Sequence, residues 1–107
     1  MPGAVVHVVL VTAPDMRTAG KLARLLVADK LAACVNCVPG IISHYAWKGK
    51  ACRDREVLLL IKTRSGLLGR LAAAVKKNHP YELPEIIALP VVGGDASYLA
   101  WIAQSTR

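Results

Sequence analysis

Residues 41–63 read IISHYAWKGKACRDREVLLLIKT, and this stretch decides the fold. Ile41, Ser43, Tyr45 and Trp47 alternate with Ile42, His44 and Ala46, the period of an extended strand with two different faces. Lys48-Gly49-Lys50 supplies a turn. From Glu56 to Thr63 the chain is again apolar and β-prone. The two runs predict a long hairpin. Its first strand starts upstream, at Ala32, with an interruption at Pro39-Gly40. That strand is longer than one small sheet requires, so its far end, Tyr45 to Lys50, is expected to project. A projecting hairpin with an apolar face needs cover, and a neighbour's strands supply it.

Outward from the hairpin the pattern changes period. Upstream, residues 4–12 (AVVHVVLVT) are β-branched and continuous, like a buried central strand. Thr12-Ala13-Pro14-Asp15 ends it, and Asp15 is placed to cap a helix by accepting its first amide hydrogens. From Met16 to about Leu31, Ala19, Leu22, Ala23 and Leu26 recur at helical spacing. Arg17, Lys21 and Arg24 lie mostly elsewhere on that helix. Downstream, Ser65 is the expected cap of a second helix whose apolar face is Leu68, Leu71, Ala72 and Val75. Asn78 ends it, and Pro80 biases His79 out of helical geometry. Glu85 to Val92 (EIIALPVV) reads as a last strand, with Pro90 marking an edge or a bulge. Gly93-Gly94-Asp95 turns the chain into a short final helix with Tyr98, Trp101 and Ile102 on its apolar face. The order β-α-β-β-α-β predicts an α+β, ferredoxin-like sandwich, an antiparallel sheet with two helices on one face. At 107 residues the chain is one domain, 1–107.

Composition narrows the function classes. Hydrophobic residues are 54% and charged residues 20%, which excludes a disordered chain and predicts an oligomer. There is no Phe, and aromatics are 5%, so base-stacking platforms and nucleic-acid partners are not expected. Net charge is +7, which favours anionic partners without naming one. No run reaches the ~18 apolar residues of a membrane span. Met1–Val6 has an apolar run without a positive flank, so it reads as the start of a strand rather than a signal peptide. Three cysteines cannot form a complete disulfide framework. The expected location is cytoplasmic, with an organelle lumen after transit-peptide removal left open.

The cysteine pair Cys34-Val35-Asn36-Cys37 has C-x-x-C spacing, but in a strand positions three apart face opposite sides. A dithiol is therefore not expected; Cys37 reads as a small buried apolar residue, and Cys34 is free to face a cleft. Cys52 reads as an incidental thiol. The loop Thr12–Asp15 lacks the sulfurs of a ferredoxin-like copper chaperone, and no glycine-rich phosphate loop is present. His79-Pro80-Tyr81-Glu82-Leu83-Pro84-Glu85 is the most informative stretch. It sets an imidazole, a phenol and a carboxylate in a proline-stiffened loop, where they could bind a metal, orient a polar ligand or do acid–base work. The alternative is a structural loop, with His79 bonded to backbone. Lys62 ends an apolar strand and would draw anions to a cleft, or reach past the sheet edge to water. His7 and His44 read as structural or surface residues, Tyr45 and Trp47 as interface packing, and Trp101 as core. A Cys34–His79 nucleophile–base pair would require the two to meet.

Leu31-Ala32-Ala33-Cys34-Val35-Asn36, Pro39-Gly40, Trp47-Lys48-Gly49-Lys50, Ile61-Lys62-Thr63-Arg64 and His79 through Pro90 together resemble the CutA divalent-cation tolerance family. Thr12–Asp15 and Tyr98-Leu99-x-Trp101 fit the same pattern, so the resemblance covers essentially the whole chain. It implies a homotrimer similar in architecture to the PII signalling proteins, with the hairpin paired to a neighbour. It implies a role in tolerance of copper and other divalent cations, no obligatory cofactor and no established reaction, hence a non-enzymatic protein. The implied ligand-binding cleft lies between subunits and uses Cys34, Trp47, Lys62, His79, Tyr81 and Glu82. Cys34 and His79 are the soft ligands that suit copper. Two departures stand out. The hairpin after Gly49 is basic where many members are acidic, and Val11 stands where some members carry Cys. Three other readings stay open: a PII-like sensor of a small anionic ligand through Lys62, a trimeric scaffold, and a small hydrolase.

Overall fold

Val9, Val11 and Ala13 alternate with residues of the opposite face along one strand, and all three are fully buried. Their neighbours across the sheet, Val57, Leu59 and Ile61, are buried on the same side. This apolar row is the floor on which the helices pack. The computed structural model describes residues 6–107. The elements are β1 (Val6–Ala13), α1 (Met16–Ala28), β2 (Cys34–Trp47), β3 (Lys50–Arg64), a 3-10 turn (Ser65–Leu67), α2 (Leu68–Asn78), β4 (Ile87–Pro90) and α3 (Ala96–Gln104). The sheet order is β2-β3-β1-β4, with antiparallel pairing throughout. This is the expected α+β arrangement. Ala4 and Val5, expected in the first strand, lie outside the described residues.

The helical spacing in α1 buries Ala19, Leu22 and Leu26, and in α2 Leu71 and Val75. Asp15 caps α1 as expected, accepting from the Thr18 N–H at 2.8 Å. The helix stops three residues before Leu31. Lys30 turns left-handed at φ 58°, the Leu31 N–H donates to the Leu26 carbonyl, and the Lys30 N–H to the Val27 carbonyl. That is a Schellman ending, with buried Leu31 packed at the end of the helix it leaves. Ser65 caps nothing with its side chain: it opens a 3-10 turn, and α2 follows without a side-chain cap.

Pro39-Gly40 does not break β2. Val38 pairs with Leu58 and Ile41 with Glu56, so two residues oppose Val57 and the strand bulges, with Gly40 at φ 78°. β3 runs from Lys50, longer than the expected Glu56–Thr63, and the hairpin passes beyond the last β1–β3 pair, Ala13 with Val57. The molecule extends 46 × 26 × 23 Å accordingly. Lys48 and Gly49 both have positive φ, the two-residue turn that matches strand twist. β4 is shorter than the expected Glu85–Val92 and lies at the sheet edge, where Pro90 is tolerated.

The face of the sheet away from α1 and α2 is apolar. Val8, Leu10, Leu58 and Leu60 are half-buried there, and Ile87 and Leu89 are about half exposed. α3 is anchored near the Lys62 end of the sheet. Ile102 is buried, and Arg64 donates to the Thr106 hydroxyl at 2.9 Å and its carbonyl at 2.8 Å. Trp101 is not core: it is 43% exposed and stacks with Tyr98, ring centroids 5.5 Å apart. The helix buries Ile102 with its narrow side and leaves both rings outside.

Candidate functional site

Pro80 forces His79 into extended geometry at the end of α2, and the loop that follows wraps round the end of β1. The His79 ring is buried, and its Nε2 lies 2.7 Å from the Thr12 carbonyl oxygen. Its Nδ1 accepts the Tyr81 N–H at 3.1 Å. An Nδ1 that accepts leaves the proton on Nε2, where it donates to Thr12. Both nitrogens are engaged, and the Tyr81 ring tilts over the imidazole at 4.7 Å. His79 thus holds the loop against β1.

That anchoring aims Tyr81 at Glu56, one residue beyond the last β1–β3 pair. The phenol donates to Glu56 Oε2 at 2.7 Å. Glu56 is a buried carboxylate. Around the pair runs an open cleft of about 880 Å³, walled by Ser43, Tyr45 and Trp47 of the hairpin and by Glu82, Glu85 and Ile87 of the loop. Burial first, then the hydrogen bond to Glu56, holds the Tyr81 phenol well above its usual range. Tyr45 donates to Asp54, which pushes its phenol up to about 12. Burial and then the Glu56 charge raise the Glu85 carboxyl. Lys48 pairs with Glu82 at 3.9 Å at the exposed rim, its ammonium 5.7 Å from the Trp47 ring centroid.

The six residues expected at one cleft fall into two places. Trp47, Tyr81 and Glu82 line the acidic cleft, with His79 beneath them holding Thr12. Cys34 and Lys62 pair with one another across β2 and β3 on the open sheet face, opposite Val8. Val8 and Thr12 are four residues apart in β1, roughly 13 Å along the strand. One subunit therefore cannot bring Cys34 and His79 to a single ion or a single substrate. The Cys–His hydrolase pair is corrected on this ground, whereas a Cys–His metal pair would have to form between subunits. Lys62 donates to Asn36, and the Tyr98 phenol beside Cys34 is raised mainly by burial. Cys37 packs half-buried against the helical core, as expected of a small apolar residue, and burial pushes its thiol up.

Glu56 and Glu85 escaped sequence reading, while His44 is exposed, as a surface residue should be. Glu56 looked like the first residue of a strand. The signal for Glu56 was there: an acid next to a run of buried residues needs a partner. No group of three or more His, Cys, Asp or Glu side chains poised to hold a metal ion occurs among the described residues. No helix among them is long and apolar enough to cross a membrane.

A family profile described as "CutA1 divalent ion tolerance protein" matches residues 7–105. The chain is 53% identical over 100 residues to "Protein CutA 1, chloroplastic" of Oryza sativa subsp. japonica, covering 94% of this chain and 56% of that protein. It is 54% identical over 100 residues to "Protein CutA, chloroplastic" of Arabidopsis thaliana, covering 94% of this chain and 55% of that one. The chain therefore spans about half the length of these plant relatives. The solved divalent cation tolerance protein of Thermus thermophilus superposes with a TM-score of 0.94 at 45% identity, covering 95% of this chain and 99% of that one.

Proposed function

The chain belongs to the CutA1 divalent ion tolerance family, and from that premise we propose that it contributes to divalent-cation tolerance as a homotrimer that binds cations in intersubunit clefts. The observation that carries the cation reading is the charge of the cleft. The protein has a net charge of +7, yet Glu56, Glu82 and Glu85 gather on one side of it. Carboxylate oxygens are hard ligands, suited to divalent ions in general; within one subunit these three do not converge on one point, so a neighbour would supply the rest of a site. Within one subunit the cleft is open, and a neighbour's hairpin would close it. Copper is the finer proposal and needs a soft donor. Cys34 is a half-buried thiol on the open sheet face, the face a trimer would cover. The protein acts in this reading by binding, without a reaction of its own.

Calorimetric titration of the untagged protein with Cu²⁺, and separately with Zn²⁺ and Mg²⁺, tests this. Saturable binding at a fixed ratio per subunit is expected. For hard ions, Glu82→Gln with Glu85→Gln should weaken it by about tenfold or more. For copper, Cys34→Ser should do so. Binding that survives all three substitutions would make metal contact incidental and sink the proposal.

A further inference from the structure

On the opposite side of His79 and Pro80 from the acidic cleft lies a second groove of about 410 Å³. Arg17, Thr18 and Lys21 of α1 form one wall, and Lys77 and Asn78 at the end of α2 form the other. Arg17 and Lys21 are one turn apart and share a helix face. Lys77 reaches the groove from the other helix, so the sequence separation hides the cluster. No acidic residue lines the groove. The one ion pair among the described residues is Lys48 with Glu82, so these three cations have no carboxylate partner within 4.0 Å. The nearest acid in sequence is Asp15, whose carboxyl is held below its ordinary range mainly by accepting from Thr18, with Arg17 a smaller influence. The imidazole of His79 is bonded away, to Thr12 and Tyr81. Asn78 spends its side-chain N–H on the Ala74 carbonyl.

We propose that this α1/α2 groove binds a phosphoric-anhydride chain, free or as the phosphates of a nucleotide. Three cations from two helices repel one another with nothing between them, and a bound anion removes that repulsion. A guanidinium fork and two ammonium point charges are the usual phosphate-binding pair of chemistries. The volume is several times that of a single carboxylate and holds a di- or triphosphate with its bridging waters. The site is independent of the acidic cleft and of the metal reading.

The test is calorimetric titration of the intact protein with sodium tripolyphosphate near physiological salt, ~0.15 M, where screening suppresses diffuse attraction. Saturable binding of one anion per subunit is expected. Arg17→Gln with Lys77→Gln should weaken it by about tenfold or more. Lys50→Gln with Arg53→Gln, on the hairpin, removes the same charge and should leave affinity within about twofold. All four side chains are exposed, and thermal melting without anion checks that each variant folds. Equal weakening by both pairs would reduce the effect to net charge and overturn the site, as would no saturable binding by the parent protein. ATP in place of tripolyphosphate separates the sources. Tighter binding of ATP supports the nucleotide form, and equal or weaker binding supports the free chain.

Discussion

His79 occupies the position where ligand chemistry and structural chemistry compete most directly. A histidine before a proline in a loop beside Tyr and Glu invites a catalytic or metal-binding reading. Its two ring nitrogens are instead consumed by the Thr12 carbonyl and the Tyr81 amide, and the ring is buried. His79→Ala leaves both partners unsatisfied and opens a cavity, so it should cost about 2–4 kcal/mol of stability in urea unfolding. The metal affinity of the folded fraction should stay within about twofold; a specific loss of affinity at unchanged stability would contradict the anchoring role. Tyr81 makes a second residue-scale prediction. Its phenol is held above the ordinary value of 10.0, so above that pH the unfolded chain loses a proton that the folded chain keeps. The folded state then binds more protons, and stability falls as pH rises. Urea midpoints at about pH 9 and about pH 11 should show the fall, and Tyr81→Phe should make it shallower. Tyr45, pushed up to about 12, and the raised Tyr98 and Cys37 groups contribute slope that remains. At neutral pH Tyr81→Phe also strips the hydrogen bond from buried Glu56, at a cost of about 1–3 kcal/mol.

At the scale of elements, two glycines have opposite meanings. Gly20 lies inside α1, and a Cβ placed there meets only the flexible end of Arg24, at 3.2 Å. Gly20→Ala should therefore stabilise the protein by about 0.5–1 kcal/mol, through helix propensity alone. Gly49 sits at φ 79° in the hairpin turn, with open space around it. Space does not help there, because the backbone itself is left-handed. Gly49→Ala should cost about 1 kcal/mol. Thermal melts of the two variants, read side by side, should move in opposite directions. A shift of the same sign in both would mean that packing rather than backbone conformation governs these positions.

For the whole molecule the uncovered surface is the apolar side of the sheet. α3 is anchored near one end of it, and the rest presents Leu10, Leu58, Leu60, Ile87 and Leu89. Together with the long hairpin this is more apolar area than a small monomer leaves in water. The proposed trimer covers it, and light scattering should report three subunits at micromolar concentration. Leu89→Lys puts a charge at that interface. Burying a leucine is worth about 1.5–3 kcal/mol per subunit, so the variant should shift the measured mass toward the monomer. A parent protein that runs as a stable monomer would refute the assembly.

The sequence by itself determined the order of elements, because each element buries one face and burial imposes its own period. Alternation at Ile41–Trp47 and the spacing of Ala19, Leu22 and Leu26 are direct records of that burial. It also carried family membership, since the motif residues and their spacings survive intact. Ends of elements were less legible. Lys30 carries no sign that it adopts the left-handed ending of α1, and Ser65 looks like a cap although the chain enters a 3-10 turn there. Only the tertiary structure decided which candidate residues meet. Glu56 and Tyr81 lie 25 positions apart and bond because the loop after α2 wraps round the end of β1. Within one subunit Cys34 and His79 are held apart by the length of β1. Arg17 and Lys77 share a groove because two helices lie side by side on the sheet. Local pattern specifies faces, but proximity between distant faces is set by strand order and register, and no single segment encodes either.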